Sequence, residues 1–290
     1  VALLPNLTAS WKLDDLTDAT GRGNTLTNNN SATFNTGKIG NAVYLTAASS
    51  QYLSLASNSD VQAGNVDFTL AAWFYTGNAG AAQAIMAKRG DTTGQEEYVV
   101  YFDGSSTVKL QFYVFKPTDS FVSVTANNFG TLSANTWYCV IAWYDSVGQT
   151  INISVNNGTA DSVSTGGSLQ AASNGNFTIG RQDKSAGFAY VDGRVDNVNI
   201  WKRVLSASDR TAFYNSGSGI EYPFGESLAA ATYPLTSLKA AQRRQSGPMV
   251  SRVGIPTYPN DQAPVTDTNF RFPNYPPVPQ STGPVVLRQQ

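Results

Sequence analysis

The chain has 290 residues, only 13% of them charged, with 19 Lys and Arg against 20 Asp and Glu. Globular chains average about 25% charged residues, so Asn, Thr, Ser, Gly and Ala furnish the surface here, as they do in many extracellular and viral β proteins. The net charge of −1 and the absence of His exclude a global pull toward nucleic acid, Ser-His-Asp and Cys-His nucleophile systems, and His-ligated zinc.

Period-two apolar patterning dominates residues 1–222. Strands are predicted over 68–75, 97–102, 108–115, 120–125, 137–145, 150–155, 177–180 and 195–201. Gly, Asn, Ser and Asp separate these runs, as a sandwich requires. Asn156-Asn157-Gly158 carries the signal of a type I′ hairpin turn. No helical period separates the strands, which argues against a parallel α/β sheet. One short helix closes the region: Ser206 to Asp209 has capping-box spacing, Phe213 and Tyr214 follow, and Asn215 and Gly217 stop it. Cys139, the single cysteine, falls in an apolar strand and reads as a buried thiol. It leaves no possible intrachain disulfide.

Past residue 222 the character changes. Eleven of the 13 Pro and none of the five Trp lie in residues 223–290, which also hold six Lys and Arg against three Asp and Glu. Pro holds such a segment extended. A pure spacer would not need the apolar Phe270, Phe272, Tyr275, Val285 and Leu287. They are expected to act as pegs of an assembly arm, laid on other protein subunits. No run of about 18 apolar residues is present to span a membrane. No signal peptide is visible, and Val1 fits either a removed leader or a trimmed initiator Met.

Several segments together resemble the laminin-G-like, concanavalin A-like jelly-roll family over about residues 8–219. They are Ala9-Ser-Trp-Lys-Leu-Asp14, the turn Asp18-Ala-Thr-Gly-Arg-Gly-Asn24, and Gly37 to Tyr44 with Gln51-Tyr-Leu53. The strand Phe68 to Phe74, Phe177 to Arg181, Gly193 to Trp201, and the ending Trp201 to Asn215 complete the set in the family's order. The resemblance implies an all-β, two-sheet antiparallel jelly-roll sandwich with a short C-terminal helix, here followed by the extended Pro-rich arm. It also implies a non-enzymatic role in binding glycans or proteins.

Some members of the family hold a structural calcium ion. The resemblance puts such an ion between the 18–24 turn and the late strand motif, with Asp18 and Asp196 as candidate ligands. The residues equally allow Asp18 to make an Asx turn and Asp196 to pair with Arg194 or Arg203. Apart from calcium, no cofactor is expected. Glycan-stacking candidates, by strand position, are Tyr98, Tyr101, Tyr113, Phe115 and Tyr190, with half-buried sheet packing as the alternative. Glycoside hydrolysis needs paired carboxylates. Glu96 and Glu97 are adjacent, so a strand sends them to opposite faces. Asp192 and Asp196 are better spaced but lie in a motif read as structural, and no catalytic residue is assigned.

The sequence thus leads to a non-enzymatic surface protein. Its jelly-roll body, residues 1–222, is expected to be displayed on a multi-subunit particle and fastened by the arm, residues 223–290. The expected location is a virion surface, or otherwise an extracellular or cell surface. The second reading is a carbohydrate-binding or adhesion module, with calcium assisting its site.

Overall fold

The computed structural model describes residues 2–90, 92–104, 107–117, 120–182 and 189–225. The arm residues Phe270, Phe272, Tyr275, Val285 and Leu287 lie outside the described residues. The strands in chain order are β1 (Leu7–Trp11), β2 (Thr27–Asn29), β3 (Thr33–Thr36), β4 (Asn41–Leu45), β5 (Tyr52–Leu55), β6 (Phe68–Thr76), β7 (Gln83–Arg89) and β8 (Glu96–Asp103). They continue as β9 (Lys109–Phe115), β10 (Phe121–Thr125), β11 (Trp137–Asp145), β12 (Thr150–Val155), β13 (Asp161–Ser164), β14 (Phe177–Ile179) and β15 (Gly193–Trp201), followed by helix α1 (Ala207–Tyr214).

Two antiparallel sheets face each other, as the patterning predicts. The first, sheet A, runs β13-β12-β11-β6-β15-β4-β3, with β1 also paired to β15. The second, sheet B, runs β10-β9-β8-β7-β14-β5-β2. One set of alternating side chains from each sheet fills the layer between them. Leu70, Ala72 and Phe74 of β6 meet Tyr98, Val100 and Phe102 of β8 and Phe112 and Val114 of β9 in one buried cluster. Trp11 stacks on Phe177 with ring centroids 5.1 Å apart.

The outer face of sheet A has its own cover. Ala71 and Trp73 of β6, Cys139, Ile141 and Trp143 of β11, and Trp201 of β15 pack beneath Leu205 and Phe213. The helix that supplies this cover is capped as its sequence dictates. The Ser206 hydroxyl accepts from Asp209 N, the Asp209 side chain accepts from Ser206 N, and Asn215 closes the helix at φ 47°. Burial pushes the Cys139 thiol well above its ordinary range, so it stays protonated and inert. Phe224 lies 6.1 Å from Trp201 and 6.4 Å from Phe213, ring to ring. The packed unit therefore runs past the boundary expected at residue 222.

The N-terminal residues tie into the same cover. Trp201 Nε1 donates to the Leu3 carbonyl at 2.6 Å, and Ala2 N donates to the Asp209 carboxylate at 3.2 Å. Arg203 Nε donates to the Pro5 carbonyl at 3.0 Å.

Asn156 and Asn157 both have positive φ, at 50° and 57°, as a type I′ turn requires. Strand β7, Gln-Ala-Ile-Met-Ala-Lys-Arg, has no clean alternation and is not evident from sequence. Its register shifts between Ala84 and Met86, and it buries a charge. Lys88 Nζ donates to Ser57 Oγ (2.9 Å), the Ser173 carbonyl (2.9 Å) and the Gly175 carbonyl (2.5 Å). It also pairs with Glu97 Oε1 at 3.2 Å. Glu97 in turn accepts from Ala63 N, Gly64 N and Ser173 N. Burial holds the Lys88 ammonium below its ordinary range, against the opposing pull of Glu97. The pair joins the β5–β6 and β13–β14 loops, and every charged atom in it has a partner.

Candidate functional site

The outward face of sheet B carries a groove built by strand alternation. Tyr98, Val100 and Phe102 point into the core, so Val99 and Tyr101 of β8 point out. In β9, Leu110, Phe112 and Val114 are inward, and Tyr113 and Phe115 are outward. Register places Tyr113 beside Val99 and Phe115 beside Phe121 of the edge strand β10. These side chains, with Arg89 and Gln182, line a cavity of about 190 Å³.

The rings meet at angles. Tyr101 is edge-on to Tyr113, with centroids 5.8 Å apart at 83°, and Phe121 tilts over Tyr113 at 5.4 Å. Phe121 is 57% exposed, an unusual position for a large apolar ring on an edge strand. The Tyr113 hydroxyl donates to the Gln111 side-chain oxygen. The Arg89 guanidinium lies 4.8 Å from the Phe115 ring centroid and donates to Gln182 Oε1 at 2.6 Å. Burial raises the phenol pKa of Tyr101 and Tyr113, with a further push from the Asp103 charge. Both hydroxyls are therefore neutral hydrogen-bonding groups across the physiological range.

The four tyrosines singled out from sequence do not form one platform. Tyr101 and Tyr113 share the groove. Tyr98 is fully buried and its hydroxyl donates to the Val61 carbonyl at 2.7 Å, so it presents no face to a ligand. It is three positions from Tyr101, and an odd spacing along a strand sends two side chains to opposite faces. Tyr190 belongs to a second cluster, where the Arg181 guanidinium lies 3.6 Å from the Tyr52 ring centroid and donates to the Tyr190 hydroxyl at 3.2 Å. Phe121, Arg89 and Gln182 are not evident from sequence. The signal for Phe121 is its place opposite Phe115 once the β9–β10 register is known.

Neither candidate metal ligand is arranged to receive an ion. Asp18 Oδ1 accepts from Ser10 N, Thr20 N and Thr20 Oγ1, and Oδ2 accepts from Asn24 Nδ2. This is the Asx-turn alternative, and N–H and O–H groups already surround the carboxylate. Asp196 Oδ2 accepts from Lys38 N at 2.7 Å and Ile39 N at 2.9 Å. A Cβ at Gly37 would come within 2.6 Å of that oxygen, so only glycine lets the 37–41 turn reach it. Arg194 and Arg203 do not pair with Asp196: Arg194 donates to the Thr36 carbonyl and Arg203 to Asp209. Among the described residues no group of three or more His, Cys, Asp or Glu could hold a metal. The residues as placed do not fit a calcium ion.

Two face-to-face antiparallel sheets closed by one short helix define a jelly-roll sandwich. The chain belongs to the concanavalin A-like lectin/glucanase superfamily, whose laminin G family model matches residues 47–209. No curated protein sequence matches it. Solved structures show the same fold. The binding domain of Paraclostridial Mosquitocidal Protein 1 is 16% identical at a TM-score of 0.59, covering 73% of this chain and 52% of that one. The botulinum neurotoxin serotype D ligand binding domain in complex with N-acetylneuraminic acid is 12% identical at 0.54, covering 72% and 50%. This chain therefore spans about half the length of those two. Domain 4 of AbnA, an extracellular arabinanase from Geobacillus stearothermophilus, in complex with arabinotriose, is 17% identical at 0.52, covering 71% and 97%.

Proposed function

We propose that the chain is a non-enzymatic carbohydrate-binding module acting outside the cell, with the groove on sheet B as its sugar site. The observation that carries this is the convergence of Tyr101, Tyr113 and the exposed Phe121 on one cavity beside the Gln182 amide and the Arg89 guanidinium. Aromatic faces cover the apolar C–H face of a sugar ring, while a few placed polar groups fix its hydroxyls. Structures of similar fold that hold arabinotriose or N-acetylneuraminic acid support the reading. No side chain lining the groove, among the described residues, is a carboxylate. Glu97 is committed to Lys88 in the interior. Both observations favour binding without hydrolysis.

Display on a larger particle, the first expectation from sequence, rests on the arm alone, and the likeness to sugar-holding domains favours the module. Calorimetric titration with arabinotriose and with sialyl-oligosaccharides, followed by a wider glycan panel, tests the proposal. Saturable binding is expected, weakened about tenfold or more by Tyr113→Ala or Phe121→Ala, a loss of roughly 1.4 kcal/mol. Affinity unchanged in both variants, or no saturable ligand in the panel, would remove the groove as the site.

A further inference from the structure

Sheet A carries a second aromatic surface, on the opposite side of the sandwich from the groove. Register brings four outward side chains into one row across four neighbouring strands. Arg194 of β15 is paired with Tyr44 of β4 on one side and Tyr75 of β6 on the other, and Tyr75 is paired with Trp137 of β11. Val43, Val195, Phe74 and Tyr138, each next in chain to a row residue, all point into the core, so the row itself faces out. Strands lie about 4.8 Å apart, so the row spans roughly 14 Å. It begins where the cover of α1 ends: Trp73, two residues before Tyr75 on the same face, is already stacked against Tyr214 at 5.9 Å.

The row is held in place. The Arg194 guanidinium lies 5.9 Å from the Tyr44 ring centroid and 5.2 Å from that of Tyr75. Its Nη1 donates to the Thr36 carbonyl at 2.8 Å. Its Nε is buried with no hydrogen-bond partner. Tyr75 and Trp137 rings lie 5.4 Å apart at 51°, and the Tyr75 hydroxyl donates to Asn135 Oδ1 at 3.1 Å. Tyr44, Arg194 and Tyr75 form the floor of an open cavity of about 330 Å³, with Asn135 and Asp192 at its margin. Tyr44 is 37% exposed.

We infer that this row is a second saccharide-binding surface, and that it takes an uncharged glycan chain laid across the strands. Rings two strands apart can stack on separate sugar units of one chain, which a single sugar could not exploit. Asn135, Asp192 and Arg194 supply acceptors and donors for hydroxyls. One cation and one anion in the lining leave the surface without net charge, which fits a neutral polymer better than a uronate or sulfate one. The inference shares no residue with the groove on sheet B and does not rest on it. With both surfaces in use, one molecule would bridge two glycan chains and gain avidity on a polymer matrix.

The test is electrophoresis of the full chain through gels that each contain one soluble polysaccharide: linear arabinan, xylan, mixed-linkage β-glucan, or chondroitin sulfate as the charged control. Retardation by at least one neutral polymer is expected. Tyr75→Ala and Arg194→Met should weaken it about tenfold, and the solvent-facing Tyr44→Ala by a smaller factor, with circular dichroism unchanged. The Tyr44 variant keeps the test open should a substitution at Tyr75 disturb folding. If Tyr113→Ala abolishes retardation while no row variant affects it, the row is not a binding surface and the groove stands. The converse result keeps the row and removes the groove. Retardation by no neutral polymer, or by chondroitin sulfate alone, overturns the row.

Discussion

Asp196 occupies the irregular stretch of β15, where register slips between Asp196 and Asn199. One carboxylate oxygen accepts two amides of the 37–41 turn, and the other, Oδ1, has no partner. Burial pushes its pKa from 3.8 up to about 7, against the pull of the Ile39 and Lys38 amides, and the Glu221 charge adds to the rise. An acid whose native pKa exceeds its unfolded value stabilises the fold below the unfolded value. That contribution is lost as pH rises through the native one. Between about pH 4 and pH 7 the loss should be on the order of 4 kcal/mol, at 1.36 kcal/mol for each unit of pKa difference. Asp196→Asn keeps an oxygen for the two amides and should flatten this part of a denaturation-versus-pH curve. A slope as steep in the variant as in the parent would sink the assignment. Repeating the series with calcium and with chelator tests the metal expectation directly. The two curves should coincide, because the donors around Asp18 leave no oxygen for an ion. The same scale shows what sequence could reveal of the groove. Alternation put Tyr98 and Tyr101 on opposite faces of β8 without saying which of the two faces is outward. Which of them lines the groove depends on which side of β8 meets the core, and only the pairing of sheets decides that.

At the level of elements, most strands were legible because their apolar residues alternate, and α1 because its cap residues are local. Strand β7 failed both criteria. Its Gln83 and Lys88 are buried because oxygens outside the strand receive them: Thr76 Oγ1 and the Asn78 carbonyl, just before the strand, for Gln83, and the remote 173–175 backbone for Lys88. No local pattern announces such partners. The short β13, Asp-Ser-Val-Ser, is an exposed edge whose identity comes from pairing with β12. The boundary at 222 followed the onset of Pro, whereas packing continues through Phe224. Truncating a buried Phe costs about 3–5 kcal/mol. A protein ending at residue 222 should therefore melt several degrees below one ending at 225, with the same β-type circular dichroism. Identical melting temperatures would mean that Phe224 adds nothing to the cover.

Across the whole molecule, the sandwich gives its two outer faces different work. The half of sheet A beneath α1 is closed, buried by Trp73, Trp143, Trp201 and Phe213, and stabilises the domain. What remains open is the row at the other end of that face and the groove on sheet B. Both carry side chains whose burial is incomplete, Phe121 in the groove and Tyr44 in the row, because no element of the described chain covers them. The fold class was legible through the resemblance to the family, but the order of strands within each sheet was not. The row was not, since Tyr44, Tyr75, Trp137 and Arg194 are scattered over 151 positions of the sequence and become neighbours only through strand order.

The ties between Ala2, Leu3 and Pro5 at one end of the described chain and Trp201, Arg203, Asp209 and Phe224 near the other bring those ends to one place. A polypeptide whose ends meet can be closed by a short linker and reopened elsewhere. The turn at Val147, 93% exposed between β11 and β12, is the natural point of cleavage. A circular permutant of residues 2–225 opened between Val147 and Gly148 should fold to the same far-ultraviolet spectrum. For the same reason the domain is suited to splicing into a surface loop of an unrelated host protein, entering and leaving it through a single narrow doorway.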